Sequence, residues 1–197
     1  MEQPSRKPRI LVCATGAASV LTLPSYLVTL QSRLDCDVKL AMSSAATGFI
    51  PASALSHMVD DVIDESDREQ AFRVGHMRLA LEADVIVVLP ASANTLSCAA
   101  LGLASSLVAS IVLASPHPVL FLPSMNRLMW EKPVLQRNVA SLRNDGHEVP
   151  DPVYRRGFEL ADRSFGEHPT LPTPSELLDL VTTLLSKRFP DGSLALS

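Results

Sequence analysis

Two polar segments in the middle of the chain hold the side chains best suited to chemistry. The first, Pro90-Ala-Ser-Ala-Asn-Thr95, places Ser92, Asn94 and Thr95 among alanines directly after the apolar run 85–89. A hydroxyl or amide here either caps the helix that follows or hydrogen-bonds a ligand. Because one residue is enough for a cap, three polar side chains favour ligand binding.

The second segment, Pro123-Ser-Met-Asn-Arg-Leu-Met-Trp130, also follows an apolar run and contains the only tryptophan of the chain. Asn126 can donate and accept hydrogen bonds, while Met125 and Met129 offer a soft apolar surface for a planar ring. The alternative is a Met/Trp cluster that only fills the core.

Two earlier loops are rich in small and hydroxylated residues: Thr15-Gly-Ala-Ala-Ser19 and Ser43-Ser-Ala-Ala-Thr47. Backbone N–H groups at the start of a helix bind phosphate. An uncharged cradle of this kind suits a mononucleotide such as FMN, and it lacks the acidic residue that binds the ribose of NAD. Ordinary strand-to-helix turns are the alternative for both loops.

Strands and helices are predicted to alternate along the chain, which indicates a single α/β domain over residues 1–197. The expected fold is a doubly wound, mostly parallel sheet (Rossmann-like, flavodoxin-like) in three α/β/α layers. The predicted strands are 10–14, 37–42, 59–63, 84–89, 110–113 and 119–122, with 148–149 as the start of a last one. The predicted helices are 19–34, 48–57, 68–81, 94–104, 133–145 and 175–187, and 150–174 is predicted to be a long loop. Ligands bind such sheets beyond the C-terminal strand ends, so loops 15–19, 43–48, 90–95 and 123–130 should share one crevice.

Composition excludes several classes of protein. The chain of 197 residues is 47% hydrophobic with a formal net charge of −4, which argues against disorder and against nucleic-acid binding. Residues 85–126 contain no Asp, Glu, Lys or Arg, but prolines interrupt the stretch, so buried strands and a helix are favoured over a membrane span. Three scattered cysteines indicate neither a disulfide framework nor a metal site, and the polar segment 1–9 lacks a secretory signal, so a cytoplasmic location is expected.

Together, the two polar motifs and their spacing resemble the signatures of the homo-oligomeric flavin-containing cysteine decarboxylases, over roughly residues 9–185. The resemblance implies a bound flavin, FMN or FAD, and a trimer or trimer-based dodecamer with active sites between subunits. It also implies an essential histidine shortly before the first motif, here His76, whose alternative role is a partly buried structural histidine. His57 is assigned to the surface. We therefore assign His76 as the catalytic acid–base and Asn126 as the residue that holds the substrate cysteine.

The other site predictions follow the crevice loops and the late loop. The residues assigned to the cofactor are Gly16, Ala17, Ser19, Ser43, Thr47, Phe49, Pro90, Ala91, Ser92, Ala93, Asn94, Thr95 and Met129. The residues assigned to the substrate are Met125, Asn126, Tyr154, Arg155 and Phe158. One departure affects the cofactor: the segment 105–109 reads Ser-Ser-Leu-Val-Ala where the family usually has Asp-Asn-Leu-Leu-Thr, which leaves flavin affinity and the choice between FMN and FAD open.

Two branches of this family differ in their late loop. The branch that decarboxylates phosphopantothenoylcysteine uses a cysteine there to reduce its enethiol product, and no cysteine follows Cys98. The segments Gly157-Phe-Glu-Leu160 and Thr170-Leu-Pro172 look like the loop of the peptidyl-cysteine decarboxylases. The favoured function is therefore oxidative decarboxylation of a C-terminal cysteine of a ribosomally made precursor peptide, through a thioaldehyde to an enethiol.

The coenzyme A enzyme and a non-catalytic regulatory subunit are the alternative functions. The expected partners are the precursor peptide and other modification enzymes of its pathway. Residues 150–170 are interpreted as a mobile substrate-recognition loop in which Arg155, Arg156 and Arg163 steer a carboxylate, against the alternative of a solvated basic loop.

Overall fold

The central sheet confirms the predicted fold class. The computed structural model describes residues 6–159 and 163–190. Five parallel strands form the sheet in the order β3-β2-β1-β4-β5. Their bounds are Arg9–Ala14 (β1), Asp37–Met42 (β2), Asp61–Asp64 (β3), Val85–Ala91 (β4) and Leu120–Pro123 (β5). The sheet is therefore doubly wound, and its strand order is that of a Rossmann-like sheet.

Helices cover both faces of this sheet. They are α1 (Leu23–Arg33, after a 3-10 turn at Ala18–Thr22), α2 (Ser44–Thr47), α3 (Ala52–Leu55), α4 (Arg68–Val74), α5 (His76–Glu82), α6 (Ala93–Ala100), α7 (Leu107–Ala114), α8 (Arg127–Trp130), α9 (Pro133–Asn144) and α10 (Pro174–Arg188). One core lies between the sheet and α1 with α10, and the other lies between the sheet and α5, α7 and α9. This is the three-layer α/β/α arrangement.

Alternation along the inner strands explains their unbroken apolar sequences. In β1, Val12 packs into the core of α1 and α10, while Leu11 and Cys13 pack into the opposite core. In β4, Val87 and Val88 divide between the two cores in the same way. A parallel strand covered on both faces must be apolar at every position.

The prediction of a strand at 110–113 is wrong, because α7 occupies Leu107–Ala114. Ser106 caps the helix by accepting a hydrogen bond from the N–H of Ala109 at 3.1 Å. A short, wholly apolar run buried on several sides has no periodicity that separates a strand from a helix. The serine cap was the available signal.

The predicted helix over 68–81 is divided in two at Gly75. That residue has φ +72, a conformation that favours glycine, and it lies between α4 and α5. His76 consequently becomes the first residue of a separate helix. The predicted helix 48–57 is likewise reduced to α3, with α2 before it.

The prediction that residues 150–174 form a long loop is wrong. Two antiparallel strands, β6 (Val153–Glu159) and β7 (Ser164–Thr170), form a hairpin there. Pro169 lies within β7, and proline is tolerated because both strands of an isolated hairpin are edge strands. Leu160, part of the segment compared with the peptidyl-cysteine decarboxylases, lies outside the described residues. The predicted last strand at 148–149 is reduced to a single parallel bridge between Glu148 and Leu120.

Within residues 6–159 and 163–190, every helix is too short or too polar to cross a bilayer.

Candidate functional site

The loops that follow β1, β2, β4 and β5 meet at the C-terminal edge of the sheet, and we refer to this edge as the crevice. Thr15, buried at the end of β1, joins two of its loops. Its hydroxyl donates to the carbonyl of Pro90 at 2.6 Å and accepts from the N–H of Ser92 at 3.0 Å. The sequence prediction did not assign Thr15 to the site, and its position directly after an apolar strand was the available signal.

The first loop receives no side-chain cap from the residues that the structure describes. The 3-10 turn at its end begins after Ala17, which supplies no side-chain cap. The hydroxyl of Ser19 lies 2.6 Å from that of Ser124, so this loop is linked to the segment that contains Asn126. Ser124 was not among the predicted site residues.

The second loop is held by its own Ser43 and by the carboxylate of Glu65, which follows β3. Ser43 caps α2 through Ala46, and the Thr47 hydroxyl donates to the carbonyl of Ser44 at 3.0 Å. Glu65, just beyond β3, accepts from the N–H of Ser44 at 2.9 Å and from the N–H of Leu107 at the start of α7. Sequence reasoning missed Glu65, because its two partners are distant in the chain.

The close approach of the first and second loops bears on whether the residues present could hold a flavin. A Cβ added at Gly16 would lie 2.5 Å from Cβ of Ala45, so the first loop must lack a side chain at this point. The crevice segments 15–19, 43–48, 90–95 and 123–126 contain no Asp, Glu, Lys or Arg. Neutral hydroxyls and free backbone donors beside a tight loop fit the phosphate and ribityl groups of FMN.

The first motif divides its polar residues between structure and binding. Ser92 caps α6 by accepting from the N–H of Thr95 at 3.3 Å, and the two hydroxyls lie 2.9 Å apart. Thr95 is buried, whereas Asn94 is exposed. Among the described residues, the Asn94 side chain has only a long contact from the thiol of Cys98 at 3.9 Å. Asn94 is therefore the side chain of this motif that is available to a ligand.

In the second motif, the oxygen and the nitrogen of the Asn126 side-chain amide have different roles. Its Oδ1 caps α8 by accepting from the N–H of Met129 at 2.9 Å. The Nδ2 group has no acceptor among the described residues, so this end of the amide can donate to a ligand. Trp130 is buried in the core, as the core-packing alternative requires, whereas Met129 is 44% exposed and Met125 is half-buried.

His76 is exposed at the start of α5, which excludes the partly buried structural role. In the part of the chain that the structure describes, its imidazole has no hydrogen-bond or ion-pair partner. Phe72 and Met77 beside it are 90% and 52% exposed. His57 is also exposed, in the turn after α3, as predicted. The single chain does not hydrogen-bond His76 to Asn94 or Asn126.

The hairpin carries the remaining predicted substrate residues. Tyr154 and Phe158 lie on one face of β6 and are 42% and 48% exposed. The Phe158 ring is 5.8 Å from that of Phe165 on β7. Arg155 lies on the other face, and its guanidinium is bonded to Glu176 at the start of α10. Phe49, predicted to contact the cofactor, is 48% exposed.

Comparison with known proteins identifies the family of the chain and several similar decarboxylases. A family model described as Flavoprotein matches residues 1–186. The mersacidin decarboxylase of Bacillus sp. (strain HIL-Y85/54728) is 37% identical over 94% of this chain and 95% of its own length. The solved structure of MrsD from Bacillus sp. HIL-Y85/54728 superposes with a TM-score of 0.78 and 34% identity, covering 92% of this chain and 98% of its own.

Two further solved structures are similar. The decarboxylase EpiD in complex with a substrate peptide has a TM-score of 0.82 and 28% identity, covering 89% of this chain and 99% of its own. SpaF, an FMN-dependent cysteine decarboxylase, has a TM-score of 0.73 and 28% identity, covering 92% of this chain and 98% of its own.

Proposed function

The chain belongs to the Flavoprotein family, and from this premise we propose that it is an FMN-dependent enzyme that oxidatively decarboxylates the C-terminal cysteine of a ribosomally made precursor peptide. The observation that carries the proposal is the uncharged crevice, in which Asn94 and the Nδ2 group of Asn126 remain available beside an uncapped backbone turn. Its similarity to peptidyl-cysteine decarboxylases over nearly the whole chain supports the same conclusion.

The cofactor would be held by neutral groups. The N–H groups after Ala17 and the hydroxyls of Ser19 and Ser43 would bind its phosphate and ribityl chain, and Asn94 would bind the polar edge of the ring. When bound, FMN supplies a two-electron acceptor for oxidation of the substrate thiol to a thioaldehyde. The close approach of Gly16 to Ala45 is compatible with FMN and with FAD, so FAD is the alternative cofactor.

Asn126 would orient the substrate. Because its Oδ1 is committed to the helix cap, its Nδ2 donates to the carboxylate or neighbouring amide of the terminal cysteine. Fixed placement of that carboxylate beside the oxidised carbon–sulfur unit favours its departure as carbon dioxide, since the thioaldehyde accepts the electron pair of the broken C–C bond. The remaining product is an enethiolate.

His76 would take the thiol proton, since an imidazole exchanges protons near neutral pH. Its exposed position beside Phe72 and Met77 supports a second proposal. The chain assembles into a trimer, or a dodecamer built from trimers, in which His76 completes the site of a neighbouring copy. Light scattering of the purified protein tests the assembly, and a monomer that turns over peptide contradicts it.

The absence of a cysteine after Cys98 in the sequence separates this function from the coenzyme A branch. Without a late thiol to donate a proton, the enethiol would be the final product. The hairpin, described above as two paired strands, would cover the bound peptide, and its mobility is part of this proposal.

Two measurements test the function. The purified chain should be yellow and release FMN on denaturation. Incubation with a peptide ending in cysteine should lower the peptide mass by about 46 Da, which is carbon dioxide plus two hydrogens. The same peptide ending in serine is the control. Loss of about 44 Da from phosphopantothenoylcysteine would support the coenzyme A enzyme, and bound flavin without turnover of either would support the regulatory subunit. Colourless protein that takes up neither FMN nor FAD would overturn the proposal.

A further inference from the structure

We propose that Arg155 is a positioning residue that anchors the hairpin to the start of α10, and that it does not itself bind the substrate. The inference deepens the proposed function and rests on it for the choice of substrate. It replaces the prediction that Arg155 contacts the peptide.

Both terminal nitrogens of the Arg155 guanidinium are engaged at the base of the hairpin. One terminal nitrogen donates to the carbonyl of Leu171 at 2.9 Å and lies 3.4 Å from the hydroxyl of Thr170. The other donates to both carboxylate oxygens of Glu176, at 2.8 and 3.1 Å. The planar guanidinium fork, with one nitrogen on the Leu171 carbonyl and the other on the Glu176 carboxylate, fixes orientation as well as distance.

Glu176 is itself held rigidly. It forms a capping box with Thr173, whose N–H donates to Oε2 at 2.6 Å while the Thr173 hydroxyl accepts from the N–H of Glu176 at 3.3 Å. The N–H of Thr173, with the Arg155 guanidinium second, lowers the pKa of Glu176 to about 2. The carboxylate therefore stays charged throughout the physiological range.

The adjoining segment is tied to α1 as well. The hydroxyl of Tyr26 donates to the carbonyl of Pro172 at 2.6 Å. Leu171 is buried against the core of α1 and α10. Arg155 therefore connects the hairpin to a part of the protein that is fixed from two sides.

Further along the hairpin, the described residues include an exposed pair of rings. Phe158 is 48% and Phe165 is 73% exposed, and their ring centroids lie 5.8 Å apart. The hairpin also contacts α8, the helix that Asn126 caps. The angle set at Arg155 consequently decides where Tyr154 and Phe158 lie relative to Asn126. Loosening the anchor should weaken peptide binding without changing the chemical step.

A double-mutant cycle tests the anchor in the full-length, FMN-loaded enzyme. Arg155→Gln and Glu176→Gln should each raise the KM of a peptide ending in cysteine about five- to tenfold, with kcat within about twofold. The double variant should be no worse than Arg155→Gln alone, because that variant already removes the ion pair that Glu176→Gln breaks. Glutamine at 176 keeps an acceptor for Thr173, so the capping box survives. Arg155→Lys, which keeps the charge but not the fork, should recover part of the KM.

Lys187→Gln is the matched control, since it removes an exposed ion pair with Glu148 (3.1 Å) at the other end of α10. It should leave KM and kcat unchanged. If Arg155→Gln raises KM while Glu176→Gln does not, Arg155 binds the peptide directly and the proposal is overturned. The same conclusion follows if the two single effects add in the double variant.

Limited proteolysis separates this inference from the function. Both single variants should be cleaved within 154–170 faster than the wild type, whereas Lys187→Gln should not. Unchanged cleavage would overturn the anchor even if peptide turnover is normal. Wild-type protein that binds FMN but does not turn over peptide would instead refute the function, and the proteolysis result would still decide the role of Arg155.

Discussion

The adjacent strands β1 and β4 are fastened to each other at both ends, by opposite kinds of chemistry. At their N-terminal ends, the carboxylate of Asp84 accepts two bonds from Arg6 at 2.6 and 2.7 Å and one from the N–H of Arg9 at 2.8 Å. Arg188 from α10 donates to the carbonyl of Asp84, and its guanidinium lies over Phe189. Charged groups therefore hold the N-terminal ends of β1 and β4 together.

At the C-terminal ends, the single neutral hydroxyl of Thr15 joins the same two strands through Pro90 and Ser92. An ion pair here would place a fixed charge beside the cofactor phosphate and the reacting carboxylate, and in a partly buried crevice its field would be strong. The comparison teaches that the charged fastening of these two strands lies at the end away from the predicted crevice. Variants at the charged end should therefore affect stability alone, whereas variants at the crevice end should also affect turnover or FMN binding.

The largest effect is expected at the crevice end, on turnover. Asn126→Asp keeps an oxygen to cap α8 but replaces the Nδ2 donor by a negative charge, and His76→Asn removes the proton acceptor. Each should lower kcat at least ~10²-fold, with little change in the thermal midpoint. Peptide turnover and differential scanning fluorimetry of the FMN-loaded variants measure the two properties. Full activity of His76→Asn with flavin bound would remove its assignment.

The next effect is expected at the charged end, on stability. Asp84→Asn leaves Arg6 and Arg9 without their carboxylate and should lower the free energy of unfolding by about 2–4 kcal/mol. Turnover per folded molecule should be unchanged. Asp35→Asn is the control, because it breaks an exposed pair with Lys7 and should cost less than about 0.5 kcal/mol. Urea denaturation measures both variants, and equal losses in the two would contradict the comparison.

A smaller effect is expected at Thr15, on stability and on FMN affinity. Thr15→Val leaves the carbonyl of Pro90 and the N–H of Ser92 without a partner and should destabilise the protein by about 1–3 kcal/mol. FMN affinity should fall as well, because the first motif loses its support. Thr29→Val removes an exposed hydroxyl that bonds within α1 and serves as the control. Stability and FMN titration that do not distinguish the two variants would show that Thr15 does not organise the crevice.

The smallest effect is a dependence of stability on acid. Burial alone would raise the pKa of Asp84, but the bonds from Arg6 and Arg9 outweigh it and hold the pKa below the ordinary 3.8. The stabilisation is therefore present above about pH 4 and is lost as the pH falls through the lower folded-state pKa. The stability difference between wild type and Asp84→Asn should be constant from pH 7 to 5 and shrink at pH 3, by urea midpoints. A difference that persists at pH 3 would contradict this assignment.

The elements that sequence predicted well are those whose signal is local. The runs that became β1, β2 and β4 are mostly apolar and are each followed by small polar residues, so the strands and the position of the loops after them followed from the sequence. The proline at the start of α9 and Gly146 after it, with φ +91, fixed that helix nearly to the residue.

What the sequence did not reveal depends on pairings between distant residues. Glu65 reaches a helix 42 positions away, and Ser19 meets Ser124 across 105 positions. The hairpin was hidden for a related reason, since two short polar strands become recognisable only when paired. Arg155 was assigned to the substrate because an exposed arginine in a loop has no visible partner until α10 is placed beside it.

The cluster of Arg6, Arg188 and Phe189 brings the two ends of the described fold together beneath the sheet, on the side away from the crevice. An affinity tag or linker joined to the chain beside either residue would be attached at the edge of the sheet opposite the crevice loops. We therefore expect immobilisation through that edge to leave the proposed peptide site facing solution.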